Sequence, residues 1–142
     1  MPTMKALINA MSNDSNIAAK LSTFDFGSGA APAVFANARP DESPMRSAVV
    51  TMVGGYDVGA NATYAMWVQH DIRLEDDRDR SQKELLELAW LVYYKFHKKE
   101  LAIGEDGFDT GDCFCGPPML IGFEDFPGYL VQVRVLLAKG ED

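Results

Sequence analysis

Apolar and polar positions alternate most regularly over residues 63–74. Tyr64, Met66, Val68, His70, Ile72 and Leu74 point one way, and Thr63, Ala65, Trp67, Gln69, Asp71 and Arg73 point the other. This pattern predicts a strand with one covered face. Residues 47–53 are β-branched and apolar. With the flexible residues 54–61 between, the two runs predict a β-hairpin with a long tip. The same period returns at the end of the chain, where Tyr129, Val131, Val133, Val135 and Leu137 oppose Gln132 and Arg134. Helical spacing appears twice. Met4, Leu7, Ile8 and Met11 predict a short opening helix that fades at residues 12–16, and Leu85, Leu88, Ala89, Val92 and Phe96 predict a longer one. Ser81 and Glu84 have capping-box spacing at the start of the longer helix, and Lys95, Lys98 and Lys99 sit at its far end, where the helix dipole favours cations.

Between these elements the pattern weakens. Residues 24–32, rich in Gly and Ala, read as irregular, residues 33–36 as a short strand, and residues 39–44 as a proline-bounded turn. The stretch 104–128 reads mainly as a long loop, with residues 119–123 as a possible strand inside it. The order helix, strand, hairpin, helix, strand predicts an α+β fold in which an antiparallel sheet containing a hairpin carries helices on one face. No repeat or linker interrupts it, so residues 1–142 read as a single domain.

The totals restrict function more than they define it. Apolar residues are 47% and charged residues 24%, which is ordinary globular usage. A formal charge of −8 with thirteen scattered basic residues disfavours a broad nucleic-acid face, which needs clustered Lys and Arg. The first twelve residues lack the pattern of a signal peptide, and the longest apolar run, residues 88–94, is far below the roughly twenty residues that cross a bilayer. No membrane contact and no sequence-specific nucleic-acid contact is expected.

Candidate chemistry is sparse. His70 lies on the apolar face of its strand and reads as a packing residue, while His97, among lysines at a helix end, reads as a solvated cation. Cys113 and Cys115 lack the two-residue gap of zinc knuckles and redox pairs. A bond between them would close too small a loop to matter, so both are expected to be dispensable for folding. Residues 76–80 alternate acid and Arg just before a helix, which reads as capping plus an ion network. Glu105, Asp106, Asp109 and Asp112 do not follow the ligand pattern of a calcium loop. No catalytic, metal or cofactor residue is assigned, and no enzyme activity is expected. The candidates are instead interface residues: Tyr56 and Asp57 at the hairpin tip, Trp67 on the polar face of its strand, and Phe108 and Phe114 as exposed aromatics in the 104–128 stretch.

The segments Ala33-Val34-Phe35, residues 44–51, residues 67–74 and residues 85–91, in this order, resemble the tail terminator, or tail completion, proteins of tailed bacteriophages. The likeness spans most of residues 3–139. It implies a structural virion protein, assembled in the host cytoplasm, that forms a ring, typically a hexamer. Such a ring caps the tail tube, stops its polymerisation and connects it to the neck. The implied partners are further copies of the chain, the tail tube protein and a neck or head-to-tail connector protein, and the family has no catalytic residues to carry over. The long, cysteine-bearing stretch 104–128 departs from the pattern. Another neck or head-to-tail joining protein, or a cellular ligand-binding α+β domain, would share the composition.

Overall fold

The computed structural model describes residues 2–40, 44–57, 64–78, 82–105, 107–122 and 128–139, the side chains of 56, 57, 64, 65, 138 and 139 excepted. The opening apolar stripe folds as α1 (Pro2–Ser12), which buries Thr3, Ala6, Leu7 and Met11. The chain does not fade after Ser12. Asp14 accepts hydrogen bonds from the backbone N–H groups of Asn16 and Ile17, both at 3.0 Å, and so caps a short α2 (Ser15–Lys20). The Gly-rich segment is also ordered. It forms the hairpin β1 (Thr23–Asp25) and β2 (Ala30–Pro32), closed by Gly27 at φ 91° with its N–H bonded to Asp25.

The main sheet takes β3 (Val34–Ala36), β4 (Arg46–Asp57), β5 (Tyr64–Asp76), β6 (Lys99–Glu105), β7 (Phe108–Cys115), β8 (Met119–Ile121) and β9 (Gly128–Lys139). Its order is β3-β4-β5-β9-β7-β6, with β8 also on β9. All pairings are antiparallel except β3 with β4, which is parallel, so the expected antiparallel sheet is a mixed one. The residues from 104 onward, expected mainly as a loop, are largely strand. Cys115 pairs with Val133, the Gly116 N–H bonds the Gln132 carbonyl at 3.0 Å, and Met119 resumes pairing at Leu130. β7 and β8 thus follow one edge of β9, with Pro117 and Pro118 between them, because proline cannot donate to the ladder.

Helix α3 (Lys83–Phe96) buries Leu85, Leu88, Ala89, Val92 and Phe96, the expected stripe. With α1 it covers one face of the sheet. Val50, Val68, Ile72, Leu74, Val131, Val133, Val135 and Leu137 fill the core between them, which is why, His70 apart, every second residue from Met66 to Leu74 and from Tyr129 to Leu137 is apolar. The helix is not opened by the expected capping box: its N-cap is Gln82, Ser81 lies outside the described residues, and Glu84 turns instead to Arg46. On the opposite face, Ala33, Phe35, Met45 and Val49 make a small second core beneath Phe24 of the β1–β2 hairpin. That hairpin covers only the β3–β4 end.

Candidate assembly interface

The remainder of the outer face is formed by alternate residues of β5, β9 and β7. Trp67 stands beside Leu136, which stands beside Asp112. Gln69 stands beside Arg134, and Arg134 beside Phe114. Among the described residues no element covers this area. Trp67 and Phe114 pack edge to face with ring centroids 5.6 Å apart, and Phe114 keeps 41% of its surface exposed. Next to them Gln132 donates to Asp71 at 3.4 Å. A shallow groove of about 250 Å³ runs between Phe114, Gly116, Gln132 and Arg134. Large apolar groups set among polar ones on an exposed face match the make-up of a protein contact more than that of a substrate pocket.

The five expected interface residues are treated unequally. Trp67 and Phe114 come together. The backbone of Tyr56 lies opposite Trp67 and that of Asp57 opposite Met66, while their side chains lie outside the described residues. Phe108, expected as an exposed anchor, is half-buried and packs against the main core, at the point where the β6–β7 register is irregular and the alternation breaks. The sequence reading passed over a second exposed aromatic group. Trp90 and Tyr94 stack at 5.7 Å along α3, and Tyr94 is 66% exposed. The signal was present, since the two stand four apart on the side of α3 away from its apolar stripe.

The titratable groups of the interior are occupied with structure. His70 is fully buried, and its Nε2 lies 2.8 Å from Thr3 Oγ1 of α1. Burial disfavours the imidazolium, and the amino-terminal charge adds to this, so its pKa falls to about 4. His97, expected to be solvated, is half-buried: its Nδ1 accepts the Cys115 backbone N–H at 3.0 Å while the ring stacks on Tyr93. Cys113 and Cys115 both point into the core, and burial pushes each thiol up to about 12, which leaves them protonated and unreactive.

The acids before α3 form an ion network. Asp76 meets Arg46 at 2.9 Å and Arg78 at 3.2 Å. Asp77 meets Arg39 at 2.8 Å and the Met45 N–H at 2.7 Å. Burial alone would raise both carboxyl groups, but these hydrogen bonds outweigh it and hold them below the usual carboxylate range. Asp79 and Arg80 lie outside the described residues. Among the described residues, no three His, Cys, Asp or Glu side chains gather where a metal ion could be held, and no helix is long and apolar enough to cross a membrane.

No protein-family model matches the sequence, and no curated protein matches it. The backbone does have a counterpart. A chain in the solved structure "Virion of native gene transfer agent (GTA) particle" superposes with a TM-score of 0.68, covering 95% of this chain and 93% of that one at 12% identity. The two chains share one fold. At that identity the outer face cannot be transferred residue by residue, but the shared fold extends from α1 to β9 with little left over on either side.

Proposed function

We propose that this chain is a structural virion protein of the tail terminator type, which assembles into a ring that caps the tail tube and joins it to the neck. The observation that carries the reading is the end-to-end match of its fold to a chain of a gene transfer agent virion, with almost no unmatched residues in either chain. A small domain that repeats around a ring needs an exposed contact face, and this one leaves a mixed aromatic and polar sheet face open for contacts. Trp67 and Phe114 are the proposed anchors of that contact, with Tyr56 and Asp57 beside them at the hairpin end. The interior histidine and thiols, as packed groups, add no rival chemistry.

The test is the state of the purified chain. Light scattering and negative-stain electron microscopy should show closed rings, and adding the protein to polymerising tail tubes should fix tube length. A strict monomer at all concentrations, with no effect on tubes, would point to the ligand-binding domain instead. Rings that leave tube length unchanged would favour another neck or joining component.

A further inference from the structure

His70 is a titratable group sealed inside the apolar face of the sheet. Its row across that face runs from Met52 of β4 through Val133 of β9 to Cys115 of β7. Helix α3 turns Leu85, Leu88, Ala89, Val92 and Phe96 to the same interior, and β5 itself adds Val68 and Ile72. None of these carries a charge, since Cys115 stays protonated up to about pH 12. The charge that does act on the ring is that of the amino terminus, which repels a cation, and the N-terminal end of the α1 dipole acts in the same sense. The imidazole is bonded to Thr3 Oγ1 of α1 at 2.8 Å, and its Nδ1 has no partner among the described residues. A neutral ring tolerates this arrangement, because Nε2–H can donate to Thr3 and leave only a lone pair at Nδ1. An imidazolium carries a second N–H, which needs an acceptor that this interior does not offer.

The turn that holds the ring's partner is weakly fastened. In residues 2–5 of α1, Thr3 is buried and Met4 half-buried; the backbone N–H groups of this turn have no intrahelical acceptor, and no acidic side chain stands there to meet them. Lys5 meets Glu105 of β6 at 2.7 Å, but both are exposed and such a pair adds little. Leu7 and Met11, fully buried, fasten the helix only from its second turn onward. Beside the first turn lies a groove of about 380 Å³ lined by Pro2, Lys5, Ala6, Leu101, Ile103 and Glu105, which leaves the turn room to move. We propose that the first turn of α1 is an acid-released latch: protonated His70 expels Thr3, residues 2–5 swing toward the groove, and the helix from Leu7 onward stays on the sheet. The charged ring gains water in the open state while the elements around it keep their packing. Opening then takes up a proton, so its equilibrium constant rises as pH falls from 6.5, where the open ring titrates, to about 4, where the closed one does. From pH 7 to pH 4.5 the rise is roughly 60-fold. The latch does not depend on the proposed ring.

Hydrogen exchange of the full chain, followed by NMR at pH 7 and pH 4.5 and expressed as protection factors, tests the latch. The amides of residues 6–9 report it, because their helical bonds end on the carbonyls of residues 2–5, and those of residues 131–135 in β9 report global unfolding. In the wild type, residues 6–9 should open more readily than residues 131–135 at both pH values, and their opening constant should rise roughly 60-fold at pH 4.5. His70→Gln keeps a partner for Thr3 and leaves the Lys5–Glu105 pair in place but cannot titrate, so it should reduce that rise to a few-fold at most. Thr3→Val removes the bond and keeps the histidine; opening at pH 7 should increase about three- to tenfold, with the acid-dependent rise retained. Circular dichroism will verify that both variants fold. Opening of residues 6–9 that ignores pH, that rises as much in His70→Gln, or that coincides with global unfolding would overturn the latch.

Discussion

At the scale of single residues, the buried His70 sets the acid tolerance of the fold. Its pKa is about 4 in the folded protein against 6.5 in the open chain, so the unfolded state takes up a proton first as pH falls. The contribution is complete above about pH 6.5 and is lost progressively down to about pH 4. By pH 4.5 the loss is about 2.5 kcal/mol, which lowers the melting temperature by several degrees in a domain of this size. The carboxylates of Asp14, Asp76 and Asp77, held below 3.8, lose their contribution only under more acid conditions, and Glu87, held below 4.5 by its hydrogen bond from Lys20, is fully exposed and screened, so among the described residues the histidine dominates above pH 4.5. Gln at position 70 can keep the bond to Thr3 without titrating. Melting curves at pH 7 and pH 4.5 should show a clearly smaller drop for His70→Gln than for the wild type, and equal drops would contradict this account. The thiols correct an expectation made from spacing alone. Cys113 is 1% exposed and Cys115 is 9% exposed in the core. Replacing both by Ser therefore buries two hydroxyls and should cost about 1–3 kcal/mol each, whereas Ala should cost less at each site; urea titration checks the order.

At the scale of elements, what could be read from the sequence depends on how each element is covered. β5 and β9 were legible because one face meets helices and the other does not, so burial alternates with the pleat. β7 was not, because its glycine and acids imitate a loop. Gly111 is there for close packing: a Cβ would come within 2.6 Å of Val135 and 3.3 Å of Leu137. The six-residue α2 and the three-residue β1 and β2 are too short to show a period, and the parallel pairing of β3 with β4 is a long-range fact that no local pattern carries. Of the exposed aromatic groups, the sequence pointed to Trp67 through its place on a polar strand face, but it left Phe114 in a loop and the outer aromatics of α3 unnoticed. Nor did it expose the joint that fixes four elements. Arg46, at the start of β4 and 7% exposed, reaches Asp76 of β5 at 2.9 Å, Glu84 of α3 at 2.8 Å and the Lys20 carbonyl of α2 at 2.9 Å. Arg46→Met keeps much of the volume but leaves Asp76 buried with only Arg78 to face it. Removing one partner of a buried ion pair costs about 3 kcal/mol, well beyond the effect of an exposed pair such as Lys5–Glu105, so chemical denaturation should show a large drop for R46M and almost none for K5M.

At the scale of the whole molecule, the fold and the proposed contact face are separable. The helices and the inner sheet face hold the core, while the outer face beyond the β1–β2 hairpin contributes little to it. The sequence predicts a long hairpin tip over residues 54–61, but β4 continues through Asp57 and pairs residues 54–57 with β5, so shortening that whole stretch would cut into the sheet itself. The cleaner separation is at the aromatic pair. Trp67 is half-buried and Phe114 is 41% exposed, and an edge-to-face pair of this kind adds about 1 kcal/mol to a monomer beyond its buried area. As interface anchors the same rings would each contribute at least ~2 kcal/mol, a factor of about 30 in affinity. Those magnitudes decide the experiment. Trp67→Ser with Phe114→Ser should lower the melting temperature by only a few degrees and keep the circular dichroism of the fold, yet raise the concentration needed for assembly by two orders of magnitude or more, measured by mass photometry across a dilution series. A double variant that assembles like the wild type would remove the outer face from the contact, whatever ring the protein forms.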